Sequence, residues 1–106
     1  MFNLPTRLRI GSWYFQCSRI PMDDDGRNGY NSDGGGYLKV NECLQDDKAA
    51  SATFHEISHL ALEQHHVKLS EEVEEQVCVA FEETFVGLAK DEQKFVQHMF
   101  KEMGKL

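Results

Sequence analysis

The sequence predicts an α+β fold, an N-terminal antiparallel β-hairpin or small sheet packed on three helices. Three observations carry this prediction. Residues 8 to 20 are rich in β-branched and aromatic residues, and 12 to 18 alternate with the two-residue period of a strand. Residues 47 to 65 and 70 to 103 show helical caps and apolar spacing. The strand patterns all precede the helical ones, an order that reads as α+β. A chain of 106 residues has the length of one domain, 1–106, with one modest core.

Leu8 to Ile20 reads as one or two strands. Trp13, Phe15 and Cys17 alternate there with Ser12, Tyr14, Gln16 and Ser18, and Pro21 ends the run. Asp23 to Gly36 is dominated by Asp, Asn, Gly and Ser and reads as a solvated loop, with the glycines 34 to 36 loosening its end. No Asp or Asn there sits at alternate positions before a Gly with a Glu six residues beyond it, as a calcium loop requires. Tyr37 to Asn41 reads as a short strand antiparallel to the first.

A helix is expected from about Asp47 to His65, with Asp46 and Asp47 at its positive end. His66 to Leu69 forms a connector, and Ser70 caps a second helix with Glu71 and Glu72 in its first turn. That helix carries Val73, Val77, Phe81, Thr84 and Leu88 down one side. Asp91 can cap a third helix with an apolar stripe of Phe95, Val96, Met99, Phe100 and Met103, ended by Gly104.

Charge and cysteine usage exclude several functions. A net charge of −7 is wrong for gripping a phosphate backbone or an anionic membrane. Nucleic acid and membrane are therefore not expected partners. Cys17, Cys43 and Cys78 are odd in number and lack C-x-x-C spacing, which suits a reducing compartment. Cys78 lies in an apolar run and reads as a small buried hydrophobe. The residues after Arg7 and Arg9 are broken by Gly11, Ser12, Gln16 and Ser18, unlike a signal peptide. No apolar run approaches membrane-spanning length, so the expected setting is the cytoplasm.

The chemistry is concentrated in His55-Glu56-Ile57-Ser58-His59. Residues four apart on a helix share a face, so two imidazoles so placed can hold one Zn²⁺. Glu56 then projects beside the ion, where it can take a proton from water. The pentad sits among Phe54, Ile57, Leu60, Ala61 and Leu62, so this helix has a buried side. A catalytic zinc needs a third protein ligand. His65 has the metzincin spacing, but Leu62 stands where that pattern needs a turning Gly. On a continuous helix His65 lies about 15 Å along the axis from His55. His65 and His66 read more simply as polar residues at a helix end.

The other candidates are Glu71, Glu72, Glu74 and Glu75, at the start of the next helix of an antiparallel hairpin. Periodicity favours Glu74, about 60° from Val77 in projection, over Glu75, about 160° away. Cys78, Val79 and Ala80 nevertheless make that helix apolar nearly all round, so a second buried face is open.

From about Tyr37 to Asp91, half of the chain, the sequence resembles the ImmA/IrrE-type metallopeptidases, especially their short phage-encoded members. The resemblance rests on the strand Tyr37-Leu38-Lys39-Val40-Asn41, a spacer, and the helix Thr53-Phe54-His55-Glu56-Ile57-Ser58-His59-Leu60. It continues into Glu75-Gln76-Val77-Cys78-Val79-Ala80-Phe81, with Cys78 where the family usually has Ala. It implies a minimal zincin-like domain with Zn²⁺ on His55, His59 and Glu75, a gluzincin-like set, and Glu56 as general base. Glu74 is the fallback ligand.

The expected reaction is hydrolysis of a peptide bond in a specific protein or peptide substrate, for which the family suggests a phage repressor or host regulator. Tyr37, Tyr30 and His98 are the side chains available to steady the oxyanion. The strand Tyr37 to Asn41 would serve as an edge for an extended substrate. The rival reading is a zinc-stabilised, catalytically inactive module that binds a partner protein. Retention of Glu56 favours the enzyme, since a purely structural site needs no base. A third is a metal-free structural protein of a virus.

Overall fold

The computed structural model describes residues 1–31 and 33–106. Four strands come first: β1 (Arg7–Ile10), β2 (Trp13–Ile20), β3 (Gly26–Tyr30) and β4 (Gly35–Asn41). Three helices follow: α1 (Asp46–Gln64), α2 (Glu71–Asp91) and α3 (Gln93–Met103). The fold is α+β, as the order of the patterns predicts.

Leu8 to Ile20 forms two strands, an antiparallel hairpin that turns at Gly11, whose φ of 63° suits a residue without Cβ. In the rest of the sheet the structure departs from the sequence reading at β3 and at β4. Residues 26 to 30 form a strand, not loop. Gly-Arg-Asn-Gly-Tyr has one apolar residue and no alternation, so its strand character comes from antiparallel pairing with β4, from Gly26 opposite Val40 to Tyr30 opposite Gly36.

The second departure is β4, which pairs with β2 in parallel, Cys17 opposite Leu38. The sheet order is β1-β2-β4-β3. After β2 the chain doubles back as β3 and returns as β4 in the gap between them, so β4 runs the same way as β2. It is therefore an inner strand and not the expected substrate edge. The free edges belong to β1 and β3.

One face of the sheet packs on α1. Phe15, Cys17, Leu38 and Val40 point inward and meet Ala49, Ala52 and Leu60. Burying Phe15 completely contributes about 3 kcal/mol. Tyr30 sits edge-on to Trp13 and Phe15, at 4.5 and 5.4 Å between ring centroids, and its hydroxyl donates to the Leu60 carbonyl at 2.6 Å. Arg19 fixes the turn from β4 to α1 by donating to the carbonyls of Asn41, Glu42 and Leu44.

Ser70 caps α2 as expected, its hydroxyl accepting from the Val73 amide. Glu92, not Asp91, stands at the N-cap of α3, because Asp91 is still inside α2. The stripe predicted to bury α2 is only its flank: Val73 and Phe81 are 43% and 47% exposed. The α1-facing side instead runs through Cys78 and Phe85, and Phe85 stacks on Phe54 at 4.8 Å. In α3 no residue is buried, and Phe100 meets Phe85 at 6.3 Å. Among the described residues no helix is long and apolar enough to cross a membrane. Cys17 and Cys78 are buried, Cys43 is exposed, and all three are free thiols.

Candidate metal centre

His55 and His59 lie mid-way along α1 on the side facing α2, with ring centroids 4.9 Å apart and Nε2 atoms 3.2 Å apart. Between them lies the Glu75 carboxylate, Oε1 at 2.9 Å from His55 Nε2 and Oε2 at 3.1 Å from His59 Nε2. Glu75 reaches this place because α1 and α2 form an antiparallel hairpin. His66, in the left-handed region at φ 55°, helps turn the chain after α1. The start of α2 is thus returned to the middle of α1. Among the described residues, one donor atom from each of His55, His59 and Glu75 lies within 4.8 Å of the others.

The donor set fits zinc. Two imidazole nitrogens and one carboxylate are the three protein ligands of one kind of catalytic zinc site, which leaves a position for water or substrate. The outer ring nitrogens fit as well. His55 Nδ1 is 3.0 Å from Glu82 Oε1, and His59 Nδ1 is 2.6 Å from Glu74 Oε2. The Ser51 hydroxyl donates to the other oxygen of Glu82. Glu74, favoured by the face count, therefore meets the outer nitrogen of His59. The Val73–Leu88 stripe is not the side of α2 that meets α1; the helix is rotated so that Glu74, Glu75, Cys78 and Glu82 face α1. His65 caps the exposed end of α1 and is not in the group.

Glu56, next to His55, is only 7% exposed. Its Oε1 accepts from Asn28 Nδ2 at 2.6 Å. Strand β3 comes this close because residue 26 is glycine: a Cβ there would lie 2.9 Å from Glu56 Cγ and 3.2 Å from the Lys39 carbonyl. The two histidines, Glu56, Glu75 and Glu82 line one cavity of about 490 Å³, which Asp24, Asp25 and Gly26 border on the sheet side. Cys78, on the side of α2 that faces α1, is fully buried. Burial, and then the charges of Glu74, Glu75 and Glu56, push its thiol pKa up to about 11.

None of the three expected oxyanion donors lines this cavity. The Tyr30 hydroxyl is used on Leu60, Tyr37 points from the opposite face of the sheet to Leu38, and His98 is exposed on α3. Sequence reasoning missed Glu82 and Asn28. Glu82 had a signal, since it lies seven residues after Glu75, two helical turns along the same face. Asn28 had none, because its strand carries no strand pattern. Comparison with protein-family models, curated proteins and solved structures finds no match for the chain.

Proposed function

We propose that this protein is a zinc-dependent metallopeptidase with a minimal zincin-like domain of the ImmA/IrrE type, hydrolysing a peptide bond in a specific protein substrate. The observation that carries the reading is the meeting of His55 Nε2, His59 Nε2 and the Glu75 carboxylate beside Glu56 in one cavity. His55, His59 and Glu75 would hold the ion. Bound zinc supplies Lewis acidity, polarising a carbonyl and bringing the pKa of water toward about 7.

Glu56 supplies the proton transfer. Its buried carboxylate accepts a proton from the attacking water and delivers it to the departing amine. Asn28 and the close approach of Gly26 hold that carboxylate in place. An extended substrate would pair with the free edge of β3, which borders the cavity at Gly26, in place of the inner strand β4. A protein substrate such as a phage repressor or host regulator suits a small groove, and free thiols suit the cytoplasm.

Metal content by mass spectrometry, on protein purified without added zinc, tests the reading. Near-stoichiometric zinc in the wild type that is lost in Glu75→Ala and kept in Glu83→Ala, a change on the exposed side of α2, supports it. Absence of zinc in the wild type, even after zinc is added back, would sink it. Zinc and biological effect both retained in Glu56→Gln would transfer the assignment to the zinc-stabilised binding module.

A further inference from the structure

We propose that Glu74 and Glu82 are positioning residues that hold His59 and His55 with Nε2 turned into the centre, and that Ser51 braces Glu82 in that role. The inference rests on the metallopeptidase reading and deepens it. An imidazole that offers Nε2 to a metal carries its proton on Nδ1, and the acceptor of that proton sets the angle of the ring. Here both acceptors are carboxylates, at 3.0 Å for His55 and 2.6 Å for His59.

Both carboxylates come from α2, the helix that also brings Glu75. Glu82 lies almost directly above Glu75, two turns along, and Glu74 is turned about 100° to one side. The three acidic side chains thus hold the two rings from outside and between.

Glu82 is hard to explain otherwise. It lies mid-helix, beyond the first turn where the helix dipole favours acids. Its side chain is 25% exposed, and among the described residues its ion-pair partner is His55, with no Lys or Arg. Part-burying a carboxylate without a fixed cation is costly. Its hydrogen-bond partners are His55 on one oxygen and Ser51 on the other. Ser51 stands one turn before His55 on α1, so its hydroxyl occupies Oε2 and leaves Oε1 facing the ring. Glu74 is similarly part-buried, at 29%, and its ion-pair partner is His59.

Zinc affinity, measured by competition with a chromophoric chelator, tests this without any substrate. Glu82→Gln and Glu74→Gln are each expected to bind zinc 10- to 100-fold more weakly than wild type. Ser51→Ala should weaken it by a smaller factor. Glu83→Gln and Glu72→Gln remove the same charge from exposed neighbours and should stay within about threefold of wild type, because surface charge is screened. Circular dichroism of each metal-free variant checks folding. The visible spectrum of the cobalt-substituted protein should change in Glu82→Gln and Glu74→Gln and not in the two controls.

Affinities and cobalt spectra equal to wild type in both Glu82→Gln and Glu74→Gln would overturn the inference while leaving the zinc site standing. Equal weakening in the controls would overturn it too, since net charge alone would explain the effect. A wild type that binds no zinc would remove the metallopeptidase reading and this inference with it.

Discussion

Asn28 Nδ2 lies 2.6 Å from Oε1 of Glu56, and this bond ties the edge strand β3 to the middle of α1. It joins a residue of an unpromising polar strand to the proposed base. Substitutions here should therefore register in stability as well as in turnover. Asn28→Asp would face one carboxylate with another in a largely buried position, and should cost roughly 2–4 kcal/mol in urea unfolding at pH 7. Asn28→Ala should cost about 1–2 kcal/mol, since it removes only the donor.

Gly26→Ala should also disturb the base, by sterics rather than charge. The added methyl meets Glu56 Cγ at 2.9 Å and, at 3.2 Å, a backbone carbonyl that cannot swing aside. The expected result is a loss of about 1–3 kcal/mol in chemical denaturation, with zinc content unchanged because no ligand is touched.

Zinc should stabilise the fold by mass action. At free zinc 100-fold above Kd the gain is about 2.7 kcal/mol. That corresponds to a rise in Tm of roughly 10–20 °C for a chain of this size. Differential scanning calorimetry with buffered zinc and with EDTA measures it. In His55→Ala the two curves should coincide.

Alkaline pH should weaken the protein through three groups. Burial raises the pKa of Cys17 and of Cys78, the latter to about 11 with help from Glu74, Glu75 and Glu56. Burial, then the charge of Glu63, raises Tyr30. In each case the folded protein holds its proton more tightly than the unfolded chain. The stabilisation is therefore complete below the unfolded pKa and is lost as pH rises through the folded one. Metal-free protein should lose stability in urea as pH climbs from about 9 to about 11, and Cys78→Ala should flatten the slope. At pH 8 iodoacetamide should modify exposed Cys43 first, leaving Cys17 and Cys78 protected until unfolding.

Tyr30→Phe removes one part-buried hydrogen bond and little else, because the ring contacts to Trp13 and Phe15 remain. A cost of about 1 kcal/mol in urea unfolding is expected. Leu60→Ala, in the helix beneath, should cost 2–5 kcal/mol through the cavity it leaves.

Local patterns account for what was legible. Strand β2 followed from alternation, whereas its pairing with β1 through the turn at Gly11 did not, and α1 and the start of α2 followed from Asp46, Asp47 and the Ser70 cap. The positions of His55, Glu56 and His59 followed from helical spacing alone. Where pattern was absent or ambiguous the reading failed. Strand β3 has almost no apolar residue to reveal it, and α2 has apolar residues on too many sides to show which one is buried.

By itself, then, the sequence determined the α+β order, the pair of histidines sharing one helical face, and the Glu beside them, because each depends on neighbours within about two helical turns. Only the tertiary structure decided that β4 lies inside the sheet, that Asn28 reaches Glu56, and that Glu75 lies between the rings while Glu74 and Glu82 stand behind them. These depend on how α2 is rotated against α1 and on which strand fills the gap beside β2. Such choices are made by packing between segments far apart in the chain, and no local period encodes them.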